Sequence, residues 1–288
     1  MAVYEAFYGL RESPFNITPD PRFLFLTASH RNALHYLDYG IRERKGFLVM
    51  TGEVGVGKTL LIRTLLQRLD ARTETALVMN ARLSFKQLLF LALRDWNLPV
   101  QGRSKMDLLL TLQDFLVEVR NRGGNVVLII DEAQNLSPLA MEEFRLLSNL
   151  ETTAQKLLQI VLVGQPELQT VLNRHTLRQL RQRIPGISQI THLDGQGVAA
   201  YVRHRLRVAG WSSPSGWIFD EGALLEIFRC TGGIPRLVNL TCDRALLVGY
   251  QRHLRDIDAH VVRESAAYLR DGTLHSISSP LTGGGRNG

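Results

Sequence analysis

The run Gly52-Glu53-Val54-Gly55-Val56-Gly57-Lys58-Thr59 has the residue types and spacing needed to grip a polyphosphate. It fits G-x-x-x-x-G-K-[ST], in which small residues let backbone N–H groups close around a β-phosphate. Lys58 is placed to reach the β- and γ-phosphates, and the Thr59 hydroxyl to hold Mg²⁺. Without a nucleotide, Lys58 is expected to face solvent. Farther along, the apolar run Val126–Ile130 ends in Asp131-Glu132. A carboxylate ending a buried strand beside the phosphate loop can reach Mg²⁺ through water, the role read for Asp131, while Glu132 can polarise an attacking water. This pairing points to hydrolysis of a nucleoside triphosphate by a base from the same chain.

Gln165 ends the next apolar run, just before Pro166. Its amide could orient water against a γ-phosphate, although a surface turn residue would have the same sequence signature. Arg178, Arg181 and Arg183 follow on a short helical stretch, and Arg236 lies in Gly232-Gly233-Ile234-Pro235-Arg236. An arginine near a γ-phosphate stabilises the charge that spreads during transfer. A single such arginine is more often a solvated side chain; four around two turn motifs favour a functional role for at least two of them.

These residues need a scaffold, and the pattern supplies one. Gly46–Met50, Thr75–Met79, Asn125–Ile130, Leu157–Val163 and Ile187–Leu193 read as strands, the last the weakest. Between them Leu60–Leu69, Phe85–Trp96, Met106–Arg120 and a stretch from Pro138 to about Leu150, capped by Ser137, read as helices. Alternation of this kind implies a parallel, doubly wound α/β sheet with helices on both faces. Ser29 is the expected cap of a helix running to Lys45. After His192 the strand signal stops, and Val198–Ala209, Glu221–Cys230, Ile234–Gln251 and Ala259–Leu269 read as a small helical domain. The expected division is a lead-in and helix (1–45), a nucleotide-binding α/β domain (46–193), a helical lid (194–271) and a disordered Gly/Ser-rich tail (272–288).

Composition narrows the class. With 288 residues, 45% hydrophobic and 21% charged, the chain is long enough for two domains and is not largely disordered. Cys230 and Cys242 alone make neither a disulfide scaffold nor a zinc knuckle, which suits a reducing cytosol. Neither a membrane-spanning apolar run nor a signal peptide is recognisable. The net charge is +7, and only five of the 34 basic residues are lysine. Seven arginines between Arg174 and Gly210 (174, 178, 181, 183, 203, 205, 207) face one acid, Asp194. Solvated helix faces account for such a block as readily as a nucleic acid or a neighbouring subunit's phosphate does.

GEVGVGKT, VVLIIDEAQNL, IVLVGQPEL, LRQLRQRI and GGIPRLVN, in this order and spacing, resemble the AAA+ ATPases of the general secretion pathway protein A (ExeA-like) family, and within it the branch serving MSHA pilus biogenesis. The opening Phe15-Asn16-Ile17-Thr18-Pro19-Asp20-Pro21 resembles that family's N-terminal segment, so the likeness covers roughly residues 4–270. It implies a P-loop AAA+ module with a helical lid, ATP and Mg²⁺ as ligands, and a homo-oligomer with shared active sites at subunit interfaces. By the family's pattern Gln165 would be sensor 1, Arg183 the arginine finger and Arg236 sensor 2. Sensor 1 is commonly Asn or Thr in the wider superfamily, and longer secretion members add a transmembrane helix and a peptidoglycan-binding domain. The resemblance further implies a cytoplasmic ATP hydrolase, peripheral at the inner membrane through a partner, that drives or regulates assembly of a type II secretion or type IV pilus machine. Two other readings stay open: a DNA-associated ATPase of the transposition or initiator kind, and a nucleotide-gated scaffold that hydrolyses ATP slowly. The Asp131-Glu132 pair weighs against the scaffold.

Overall fold

The computed structural model describes residues 4–18, 20–100, 104–151, 155–212 and 216–271. Pro19 and the expected tail, 272–288, lie outside them. In chain order the helices are α1 (Glu5–Tyr8), α2 (Ala28–Arg42), α3 (Lys58–Leu66), α4 (Phe85–Asp95), α5 (Lys105–Asn121), α6 (Pro138–Leu147), α7 (Glu167–Leu172), α8 (Arg178–Arg181), α9 (Gly195–Val208), α10 (Glu221–Thr231), α11 (Pro235–Gln251) and α12 (Ala259–Asp271). The strands are β1 (Phe47–Gly52), β2 (Thr73–Val78), β3 (Asn125–Ile130), β4 (Leu158–Gly164) and β5 (Ile187–Ile190). All pair in parallel, in the order β2-β3-β4-β1-β5.

Every residue of β1 and β4 is buried, as expected of central parallel strands covered on both faces. Alternate residues feed two cores. Phe47 and Val49 join Leu128, Ile160 and Leu162 against α4, α5 and α6, while Leu48 and Met50 join Ile129, Val161 and Val163 against α2 and α3. The register sets Thr51 opposite Gly164 and Ile130 opposite Leu162, so the chain after β1, β3 and β4 emerges at one edge of the sheet. That edge, where strand order reverses around β1, is where α/β sheets place their ligands.

Two local expectations change. Thr27, not Ser29, caps α2, its hydroxyl accepting from the His30 N–H; Ser29 sits inside the first turn, where its Oγ accepts from the Thr191 N–H. β5 ends at Ile190 and not at Leu193, because the Leu193 N–H donates to the carbonyl of Gly233 instead of to a strand. Gly233 (φ +74°) is indispensable there: a Cβ would lie 1.8 Å from the Leu193 carbonyl oxygen.

Helices α9 to α12 enclose a separate core that includes Val202, Leu206, Ile227, Val238, Leu246 and Val262. The N-terminal strap enters the same core with Tyr4, Tyr8, Phe15 and Phe23, so the lead-in divides: its strap packs with the lid and α2 packs under the sheet. Arg205 of α9 secures the strap. Although only 6% exposed, it has no carboxylate partner among the described residues; its guanidinium donates to the carbonyls of Pro14 (2.5 Å) and Asn16 (3.2 Å) and to the Tyr201 hydroxyl (2.9 Å), and lies over the Phe23 ring at 4.7 Å.

Candidate functional site

The phosphate loop leaves β1 at Gly52 and turns through Gly55 (φ +83°) and Gly57 (φ +102°), which caps α3. The positive φ explains glycine at both positions, and a Cβ on Gly55 would also meet Arg236 Cβ at 2.6 Å. Lys58 and Thr59 open α3, so the loop amides and the helix N-terminus point at one place. Lys58 does not face solvent. It is 6% exposed, and its Nζ donates to the carbonyls of Gly52 (2.8 Å) and Glu53 (3.0 Å) across its own loop. Burial pushes the Lys58 ammonium down, opposed by Glu132 and Asp131. An ammonium in that setting takes the nearest carbonyls in place of water.

The Thr59 hydroxyl donates to Asp131 Oδ2 at 3.1 Å. Burial raises the Asp131 carboxyl, against the Glu132 N–H and the Thr59 hydroxyl that stabilise its charge. A hydroxyl and a carboxylate oxygen side by side are the hard donors that Mg²⁺ accepts, with nucleotide oxygens and waters completing its shell. Thr59 and Asp131 therefore fit the ion, and they are the residues that would hold it.

Glu132 follows in the left-handed region (φ +53°) at the start of a 3₁₀ turn, Ala133–Asn135. A non-glycine residue held there marks a local constraint, and the constraint is visible. Gln134 Nε2 donates to Glu132 Oε2 at 2.5 Å, and Gln165 Nε2 donates to the same oxygen at 3.2 Å. Gln134 Oε1 in turn accepts the Gln165 N–H at 3.0 Å, tying the end of β4 to the turn after β3. Burial pushes the Glu132 carboxyl up, but the two amide donors and the Lys58 charge outweigh it and hold the group below the usual carboxylate range. Gln165 thus stands beside Glu132. Gln134 was missed by sequence reasoning, although an amide two residues after the acid was the signal available.

The arginines do not form one cluster. Arg236, at the start of α11, approaches the phosphate loop, its N–H donating to the Gly55 carbonyl at 3.2 Å. Arg183 lies elsewhere, donating from Nη1 to Ser148 Oγ (2.6 Å) and the Arg145 carbonyl (3.3 Å) at the end of α6. Arg181 donates to the Ile184 carbonyl, and Arg178 is exposed. The seven-arginine block is dispersed as well. Arg205 is in the lid core, while Arg203 pairs with Glu221 and shares the Trp217 ring with Arg207.

Between the sheet and the lid lies a cavity of about 540 Å³, bounded by the phosphate loop, Glu132, the strap residues Ile17 and Phe25, and the lid residues Tyr201 and Asn239. The size suits a nucleotide. His30 from α2 also borders it and bonds the loop itself, a contact that no sequence pattern announced.

Comparison with known proteins agrees with this architecture. An AAA domain model matches residues 41–172. General secretion pathway protein A of Aeromonas hydrophila is 45% identical over 251 residues, 87% of this chain and 45% of the relative. An uncharacterised HTH-type transcriptional regulator of Methanocaldococcus jannaschii is 24% identical over 172 residues, 59% of this chain and 42% of that one. The chain thus spans less than half the length of these curated relatives. Among solved structures, the ORC2 protein of Aeropyrum pernix, described as ADPNP–ADP complexes, superposes with a TM-score of 0.67 at 15% identity, covering 89% of this chain and 71% of that one. Cdc6p of Pyrobaculum aerophilum gives 0.65 at 21%, covering 92% and 72%. The chain has the P-loop AAA+ fold, carries an AAA domain and is a homologue of general secretion pathway protein A.

Proposed function

We propose that the chain binds ATP with Mg²⁺ in this cavity, hydrolyses it, and uses the cycle to drive or regulate assembly of a cell-envelope machine of the type II secretion or type IV (MSHA) pilus kind. The carrying observation is the Glu132 carboxylate, restrained by two amides beside the Thr59–Asp131 pair and the phosphate loop. In this reading Glu132 takes a proton from the attacking water, Gln165 positions it, and Lys58 leaves the loop carbonyls for the phosphates. Arg236 contributes from the lid, Arg183 contributes to the site of an adjacent copy, and the cycling protein is therefore an oligomer. The ion held by Thr59 and Asp131 would neutralise phosphate charge. The 45% identity to general secretion pathway protein A supports the envelope role, for which we propose a position at the cytoplasmic side of the membrane; no helix among the described residues is long and apolar enough to cross a bilayer.

Glu132→Gln tests the chemistry. It keeps shape and hydrogen bonding but removes the base, so ATP binding should persist while turnover falls by roughly 10²–10⁴. Wild-type turnover in that variant would assign the base elsewhere. Recovery of secretion or pilus components from membranes only when ATP is present would support the cellular role. A second reading, a DNA-stimulated ATPase, draws on the exposed Arg174 and Arg178; salt-dependent DNA binding with accelerated turnover would favour it.

A further inference from the structure

His30 sits in the first turn of α2, well upstream of the phosphate loop, and is 4% exposed. Its Nε2 lies 2.9 Å from the Val56 carbonyl oxygen, and its Nδ1 lies 2.6 Å from the Thr27 hydroxyl. A carbonyl can only accept, so Nε2 carries the proton and Nδ1 accepts from the Thr27 O–H. The same threonine oxygen accepts the His30 N–H as the helix cap. Backbone and side chain of one residue thus lock the imidazole to the first turn of α2. Burial holds the ring below the ordinary histidine range, against the bond to Val56, which keeps it neutral and in this tautomer.

The consequence falls on the loop. The Val56–Gly57 peptide is trans, so its C=O and N–H point in opposite directions. Tying the Val56 oxygen to His30 turns the Gly57 N–H toward the inside of the loop. Gly57, at φ +102°, lacks the side-chain constraint that would otherwise restrict this peptide. A Cβ there would also lie 3.3 Å from His30 Nε2, so the ring and the glycine are fitted to each other.

We propose that His30 is a positioning residue for the phosphate loop: its bond to Val56 presets the Gly57 N–H for a phosphate oxygen of a nucleoside di- or triphosphate. The proposal rests on the nucleotide reading above. It adds a group outside the loop motif whose loss weakens the grip on phosphates common to ADP and ATP.

Calorimetric titration of the whole chain with MgADP tests it, using wild type, His30→Ala, His30→Gln and Lys58→Ala. His30→Ala should raise Kd about tenfold, the effect of one lost buried hydrogen bond that held a binding group in place. His30→Gln, whose Nε2 can donate to the same carbonyl, should recover most of the affinity. In steady-state ATP turnover the loss should fall on KM more than on kcat. An unchanged Kd in folded His30→Ala, or no recovery in folded His30→Gln, would overturn the proposal. If His30→Ala does not fold, nitrogen NMR of the wild-type imidazole decides: an Nε2–H tautomer with a hydrogen-bonded proton supports the assignment, and an Nδ1–H tautomer ends it. Failure of wild type itself to bind MgADP or ATP would instead defeat the nucleotide reading.

Discussion

Gln134 and Glu132 face each other across a single 3₁₀ turn, the amide nitrogen of one 2.5 Å from Oε2 of the other. Gln165 donates to the same oxygen, so both amides bind Oε2, and Oε1 has no protein partner among the described residues. The amides orient the acid and lower its basicity together, since both stabilise the charged form. Gln134→Ala should therefore leave ATP binding intact and reduce kcat about tenfold, the scale of one hydrogen bond to a charged group. The same change in a Glu132→Gln background should cost nothing further. Additive losses would show that Gln134 acts independently of Glu132.

Lys58→Ala should abolish nucleotide binding and also weaken the unliganded protein. The Gly52 and Glu53 carbonyls lose a donor that they share. A loss of about 1–2 kcal/mol is expected from denaturant midpoints measured without nucleotide. An unchanged midpoint would mean that water replaces the ammonium at no cost.

Arg183 requires a test that separates chemistry in trans from support of α6. Arg183→Ala and Lys58→Ala should each be inactive alone, yet a mixture should recover part of the turnover, because hybrid interfaces pair one intact loop with one intact arginine. A finger of this kind contributes roughly 10³–10⁵ to phosphoryl transfer. Ser148→Ala, which removes the short contact to Arg183 but keeps the guanidinium, serves as the control and should retain turnover. A mixture that stays inactive, with wild-type specific activity flat on dilution, would place the arginine outside any shared site.

Arg205→Ala should lower the denaturation midpoint by an amount equivalent to about 2–4 kcal/mol, since the carbonyls of Pro14 and Asn16 and the Tyr201 hydroxyl lose their donor inside the lid. Arg205→Lys should not restore it, because a point-like ammonium cannot serve three separated acceptors and the Phe23 face together. Full rescue by lysine would show that charge alone matters at this position.

The loop motif, the Asp131-Glu132 pair and the parallel sheet were legible because each depends on short-range spacing or on apolar runs. Contacts made by distant segments were not. His30 carries no pattern of its own, and Thr27, the cap beside it, differs little in side-chain chemistry from Ser29 two residues later. Arg205 belonged to a block read as surface charge; its i,i+4 relation to Tyr201 was the sequence hint that an aromatic environment awaited it. Lys58 reads from spacing as a phosphate ligand facing solvent; in the structure it is buried and its partners are carbonyls of its own loop, which spacing does not specify.

The strap that joins the lid core gives synthesis of this chain a direction. Strands β1 to β5 lie within residues 47–190 and can pair as they emerge. Tyr8, Phe15 and Phe23, which precede the strands in the chain, share the core of α9 to α12; Arg205 reaches back 191 positions to Pro14. The nascent chain therefore exposes this aromatic segment until α9 to α12 are made, and a ribosome stalled before α11 would leave a folded sheet beside unsheltered aromatic residues, a form suited to capture by chaperones or to aggregation.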